Sequence, residues 1–181
     1  MLKNILILGA HSYLAQQFLK LSKIPNNYYG LDIVKQKNPN FLYLYEGSVA
    51  DACLLKHIID THNIHTVIHC ASPKINSSQQ LESYLNHYTT ALFPMIFFYN
   101  YQPSIKQIII GTEPKRLLGV DSYKLAKLAQ QEFALNKPNI HYLEFQDFGN
   151  HTDLESLIPQ NETKDTLENL LITLNKYLST D

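Results

Sequence analysis

The sequence predicts an α/β fold: a doubly wound parallel sheet of about six strands with helices on both faces. Three observations lead there. Short apolar runs alternate along the chain with longer stretches whose apolar residues fall at helical spacing, the rhythm of strand-helix-strand units. The first run, Leu2-Lys3-Asn4-Ile5-Leu6-Ile7-Leu8, is nearly continuous, as expected of a central parallel strand buried on both faces. It ends at Gly9 and a helical pattern follows at once, so the chain opens strand, tight turn, helix, the opening of a dinucleotide fold.

Each element has its own signal. Ser12 is placed to cap a first helix carrying Leu14, Ala15, Phe18, Leu19 and Leu21, which stops before Pro25. Residues 28–33 form a second strand with Asp32 near its end, and residues 41–45 a third. A helix then runs through Ala52, Leu55, Ile58 and Ile59, followed by a fourth strand over residues 66–71. The stretch 79–101 reads as a long helix that Pro94 should kink or split. Residues 106–111 form a fifth strand, 121–135 a helix and 139–145 a sixth strand. Residues 147–160 read as a loop. A final helix puts Leu167, Leu170, Leu171, Leu174, Tyr177 and Leu178 on one stripe, which implies that it packs on something.

At 181 residues the chain suits one domain, 1–181, with 147–181 as a reduced C-terminal segment. Fifteen basic against sixteen acidic residues, without a long like-charge run, give no electrostatic argument for nucleic acid or an anionic membrane. About five apolar residues precede Gly9, too few for a signal sequence, and no apolar run approaches a membrane span. A cytoplasmic protein with a small ligand is expected. Cys53 and Cys70 have no second pair of ligands nearby. They are expected to be buried small hydrophobes, with neither a disulfide framework nor a metal site.

The turn Gly9-Ala10-His11-Ser12-Tyr13-Leu14-Ala15 has the spacing of a glycine fingerprint but keeps only its first glycine. Ser12 and Ala15 are small enough to preserve much of the close approach to pyrophosphate that glycines allow, although a Cβ at position 12 crowds it. Asp32 lies about twenty residues beyond the turn. A carboxylate there accepts hydrogen bonds from a free ribose diol and repels a 2′-phosphate, so NAD is favoured over NADP. His11 is expected to be an exposed turn residue.

Tyr123 and Lys127 are four apart, on one face of the helix at 121–135. Twelve tyrosines and fourteen lysines would supply about one such pair by chance, so its meaning comes from its surroundings.

Taken together, these segments resemble the extended short-chain dehydrogenase/reductase family, in particular its NAD-dependent epimerases and dehydratases. The resemblance runs from Leu2 to about Asn150. Residues 5–15 look like the family's first strand and cofactor turn, with Gly9, Ser12, Tyr13 and Leu14 at the dinucleotide, and Asp32 looks like its ribose-binding acid. Residues 47–51 are similar to the segment after the third strand. Ser48 there stands where the family commonly has an adenine-reading Asp, with Val49 beside it. Cys70, Ala71 and Lys74 resemble the fourth-strand end and loop that line the cofactor. Asn86 looks like the residue that helps position the catalytic lysine through water, and Thr112 occupies the catalytic Ser/Thr place. The tetrad Asn86, Thr112, Tyr123 and Lys127 is thereby implied. A phenol with a reference pKa near 10 becomes a usable acid/base at neutral pH when a cation stabilises its phenolate. In that tetrad Tyr123 would move the proton, Thr112 would hydrogen-bond the substrate, and Lys127 would stabilise the phenolate and bind the nicotinamide ribose.

The chain also departs from the family. Only eleven positions separate Thr112 from Tyr123, Glu144-Phe145-Gln146-Asp147-Phe148-Gly149 differs from the usual segment, and about thirty residues follow where the family builds a substrate lobe. Two readings follow. The first is an NAD-dependent oxidoreductase or epimerase/dehydratase-like enzyme acting on a small hydroxy, keto or sugar-derived substrate, placed in nucleotide-sugar metabolism by the resemblance. The second is a catalytically degenerate dinucleotide-binding or interaction protein of the same fold. The helices at 79–101 and 121–135 offer a homodimer face, as in related enzymes, although core packing accounts for Tyr84, Tyr88, Phe93, Phe97, Phe98 and Tyr101 equally well.

Overall fold

The computed structural model describes residues 2–22, 25–34, 36–72, 80–112, 122–145, 169 and 172–179. Its elements are β1 (Asn4–Leu8), α1 (Tyr13–Leu21), β2 (Asn27–Asp32), β3 (Tyr43–Glu46), α2 (Ala52–His62), β4 (Thr66–His69), α3 (Gln80–Tyr101), β5 (Lys106–Thr112), α4 (Ser122–Ala134) and β6 (Ile140–Phe145). All strand pairs are parallel, in the order β3-β2-β1-β4-β5-β6. The six expected strands are therefore present and doubly wound. Boundaries move by a residue or two: β1 begins at Asn4, β3 is shifted to residues 43–46, and β4 ends at His69.

β1 shows why its sequence does not alternate. Ile5 and Ile7 belong to one core cluster with Ala15, Phe18, Ile68, Ile108 and Leu143, whereas Leu6 and Leu8 belong to another with Leu31, Leu55, Ile58, Ile59, Val67 and Phe98. Successive side chains point to opposite faces, and both faces are covered, by α1 on one side and by α2 and α3 on the other. A smaller cluster of Met95, Ile109, Ala134 and Ile140 joins α3 and α4 to the sheet. Asp51 caps α2, its Oδ1 accepting from the Leu54 N–H at 3.0 Å, and Asn63 ends the helix in the left-handed conformation. α3 is not split: Pro94 lies inside one 22-residue helix.

The expectation that the last helix packs is met over residues 172–179, where Leu174 and Leu178 are buried in the α1-side cluster beside Ile5 and Phe18. The Lys106 ammonium donates to the Tyr177 carbonyl at 3.0 Å, holding this segment to the start of β5. Leu167, Leu170 and Leu171, and the loop at 147–160, lie outside the described residues. Truncating Leu174 leaves a cavity under the sheet, so Leu174→Ala is expected to cost about 3 kcal/mol, measurable as a lower denaturation midpoint at unchanged slope.

The cysteine expectation needs one correction. Cys70 packs against the core, but Cys53 is exposed. It sits in the first turn of α2, whose buried stripe is Leu55, Ile58 and Ile59, so a helix rotation of about 100° per residue turns position 53 outward. Among the described residues, no helix is long and apolar enough to cross a membrane, and no group of His, Cys, Asp and Glu could hold a metal ion.

Candidate active site

The strand order reverses between β1 and β4, and crevices at the carboxyl ends of strands form at such a reversal. Gly9 leaves β1 there with φ +75°, and a Cβ built on it would lie 2.6 Å from the Ala71 Cα and N beyond β4. Only glycine suits both the angle and the approach. Gly9→Ala is expected to destabilise the protein by at least about 2 kcal/mol, checked by chemical denaturation.

The α1 end of the crevice is closely tied. Ser12 caps α1, its Oγ accepting from the Ala15 N–H at 3.3 Å, and it also hydrogen-bonds Cys70. Tyr13 is half exposed at the first position of the helix, and Leu14 packs on the α1-side core. The Asp32 carboxylate accepts from the His11 N–H at 2.8 Å and from the Val34 N–H at 3.3 Å. These bonds join the turns after β1 and β2 and leave further lone pairs on the carboxylate. The His11 Nε2 accepts from the Gln36 N–H at 3.3 Å, so the imidazole folds onto the β2 loop. Ser48 is exposed, its Oγ accepting from the Ala50 N–H at 3.1 Å, while Val49 is buried in the core on the α2 side.

Across the crevice, a cavity of about 10 Å³ is lined by Ala71, Ser72, His87, Thr90, Ala91, Tyr123, Ala126 and Lys127, about the room one water requires. The helical spacing of Tyr123 and Lys127 brings both side chains to it, with the Lys127 Nζ 5.6 Å from the centre of the Tyr123 ring. Lys127 is buried at 7% exposure; its ammonium donates to the Ile110 carbonyl at 3.0 Å and to the Gln130 Oε1 at 3.1 Å. Burial lowers its pKa to about 8, partly opposed by Cys70. Burial also pushes the Cys70 thiol up to about 12, and it lowers His69, beneath the site, to about 3. The His69 Nε2 and Gln107 Oε1 are 3.0 Å apart. At neutral pH both the thiol and His69 are uncharged, and Lys127 brings a cation to the cavity wall.

Of the expected tetrad, Tyr123 and Lys127 meet at the cavity. Thr112 ends β5, four residues past the Ile108 level of the sheet core, and its side chain lies outside the described residues, as does Lys74. Asn86 is exposed and does not line the cavity; its neighbour His87 does. His87 is buried, with its Nδ1 2.8 Å from the Ser122 Oγ and its ring edge-on to Tyr123 at 5.9 Å between centroids. His87 and Gln130 are the site residues that the sequence reading missed. Gln130 had a signal, since it lies three residues beyond Lys127 on the same helix.

No family model matches the sequence, and no curated protein matches it. The structure is similar to dTDP-glucose 4,6-dehydratase from Bacillus anthracis in complex with NAD, with TM-score 0.65 and 17% identity over 92% of this chain and 62% of that one. It is also similar to UDP-glucose 4-epimerase from Bifidobacterium longum in complex with NAD+ and UDP, with TM-score 0.62 and 17% identity over 80% and 52%. The Bordetella bronchiseptica enzyme WbmG in complex with NAD gives TM-score 0.64 and 15% identity over 81% and 53%. The chain thus spans between about half and 62% of the length of these proteins. Its strand order, its switch-point crevice and these likenesses give it a Rossmann fold, the fold of these dehydratase and epimerase structures solved with NAD.

Proposed function

We propose that the chain is an NAD-dependent short-chain dehydrogenase of epimerase/dehydratase or reductase type, acting in the cytoplasm on a small hydroxy, keto or sugar-derived substrate. The observation that supports this most is the convergence of Tyr123 and Lys127 on a cavity at the β1/β4 crevice. The residues around that crevice suit a dinucleotide: Gly9 makes the tight turn after β1, packed on the Ala71 backbone, and Asp32 keeps acceptor capacity for a ribose diol. Lys74, Val49, Cys70 and Ala71 would border the cofactor, and Ser48 would stand near the adenine.

Bound NAD supplies the hydride donor and acceptor. Tyr123 would pass the proton to or from the substrate oxygen, Thr112 would orient that oxygen, and Lys127 would stabilise the phenolate and bind the nicotinamide ribose. Within one domain, with a reduced segment at 147–181, a second copy pairing through α3 and α4 would help enclose the substrate. Light scattering that gave a monomer mass would remove that part.

A second reading, a cofactor-binding or interaction protein without turnover, is favoured by the Ser12 side chain filling the first turn of α1. Calorimetric titration with NAD and NADP tests the enzyme reading. Submillimolar binding of NAD, weaker binding of NADP and at least about a tenfold loss of NAD affinity in Asp32→Ala are expected. No binding of either dinucleotide at millimolar concentration would overturn it.

A further inference from the structure

The Lys127 ammonium has three N–H donors. One bonds the Ile110 carbonyl on β5 and a second the Gln130 Oε1, one turn further along α4. Gln130 is itself 2% exposed, and its Nε2 donates to the Ala91 carbonyl of α3 at 2.8 Å. The orientation of this amide follows from its two neighbours: reversed, its NH₂ would face an ammonium and its oxygen a carbonyl. Ala91 lies in the turn preceding Pro94, where proline removes the donor that would have bonded the Thr90 carbonyl. Ala91, Gln130, Lys127 and Ile110 therefore form one buried chain of hydrogen bonds across α3, α4 and β5. Asn86, the expected partner of the lysine, is exposed on α3.

We infer that Gln130 is the positioning residue of this site: with the Ile110 carbonyl it clamps the Lys127 ammonium in the cavity wall, leaving the third N–H for a ribose hydroxyl. The ribose contact rests on the NAD-dependent function proposed above, whereas the clamp does not. A side chain serving only to fill space would leave the charge state of Lys127 unchanged when replaced by one of equal length. The titratable groups facing the ammonium are His69 at the end of β4 and Cys70 just beyond it, His87 from α3 and Tyr123 from α4 itself, while β5 presents a carbonyl.

The test uses protein labelled with ¹³C-lysine, in which the Lys127 Cε resonance is assigned by its loss in Lys127→Met. Gln130→Met keeps the length and removes both hydrogen bonds. It should lower the Lys127 titration midpoint by about one pH unit and weaken NAD binding about tenfold. Gln130→Glu places an anion at the same acceptor position and should raise the midpoint by about one unit or more. Midpoints that coincide in wild type and variants, or NAD affinity unchanged in Gln130→Met, would overturn the inference. Should Gln130→Met not fold, the Glu variant decides by the direction of its shift. A wild-type protein that binds no NAD removes the proposed function, and the midpoints alone then decide the clamp.

Discussion

Tyr123→Phe is expected to lower turnover by about a hundred- to ten-thousandfold, the usual contribution of a positioned acid/base, while NAD affinity changes by no more than about threefold. The two effects separate because the substitution removes one oxygen and keeps the ring. The ring contacts in the structure, the edge-on His87 at 5.9 Å and the Lys127 ammonium at 5.6 Å, do not require the hydroxyl. The cavity wall and the clamp on Lys127 should therefore survive, and only the group able to exchange a proton with a substrate oxygen is lost. Single-turnover changes in nicotinamide absorbance, with nucleotide sugars and small keto compounds as substrates, measure the chemical step, and calorimetry measures the binding. If wild type and variant are equally inactive while both bind NAD, the reading without turnover takes its place.

The sheet was legible because a parallel strand covered on both faces must be apolar at successive positions, as Ile5 to Leu8 are. Gly9 and the Tyr123–Lys127 pair were legible for related reasons: a backbone angle and a helical period each leave a local trace. Phase within a long helix leaves a weaker one. α3 is apolar around much of its circumference, with Ala91, Met95 and Phe98 buried and Leu85 and Ile96 exposed. The apolar pattern therefore did not decide between Asn86 and His87, and a rotation of about 100° separates them. Gln130 lies three residues beyond Lys127, but its other partner is the Ala91 carbonyl, 39 residues away in sequence, and a backbone acceptor carries no side-chain signature. Cys53 faces outward for the same physical reason that separates Asn86 from His87, the rotation of a helix about its axis. The seating of residues 172–179 beside α1 depends on long-range contact that a stripe of leucines does not specify.

Lys127→Met should change how stability depends on pH. In the folded protein, burial holds Lys127 at about 8 against an ordinary value of 10.5. Below pH 8 the group is protonated in both the folded and the unfolded chain, and the folded state bears the full cost of a buried ammonium whose described acceptors are neutral oxygens. Between about pH 8 and 10.5 the unfolded chain binds the proton that the folded chain has released, so wild-type stability rises with pH across this window. At one pKa unit per 1.36 kcal/mol the shift is worth about 3 kcal/mol. The variant lacks the group and should lack the rise, whatever it loses by leaving Ile110 and Gln130 without their donor. That loss does not titrate, so it offsets the two stability curves without bending either. Wild type should therefore gain about 3 kcal/mol on the variant from pH 7 to pH 10.5, measured by urea denaturation of both proteins, with groups common to the two cancelling in the difference. Parallel curves would mean that Lys127 keeps its ordinary pKa and is wetter than its burial implies. A difference that opens over the stated window would identify the cost of holding a cation at the cavity. That cost is what the proposed phenolate chemistry requires, and a variant freed of it should also be one that has lost turnover.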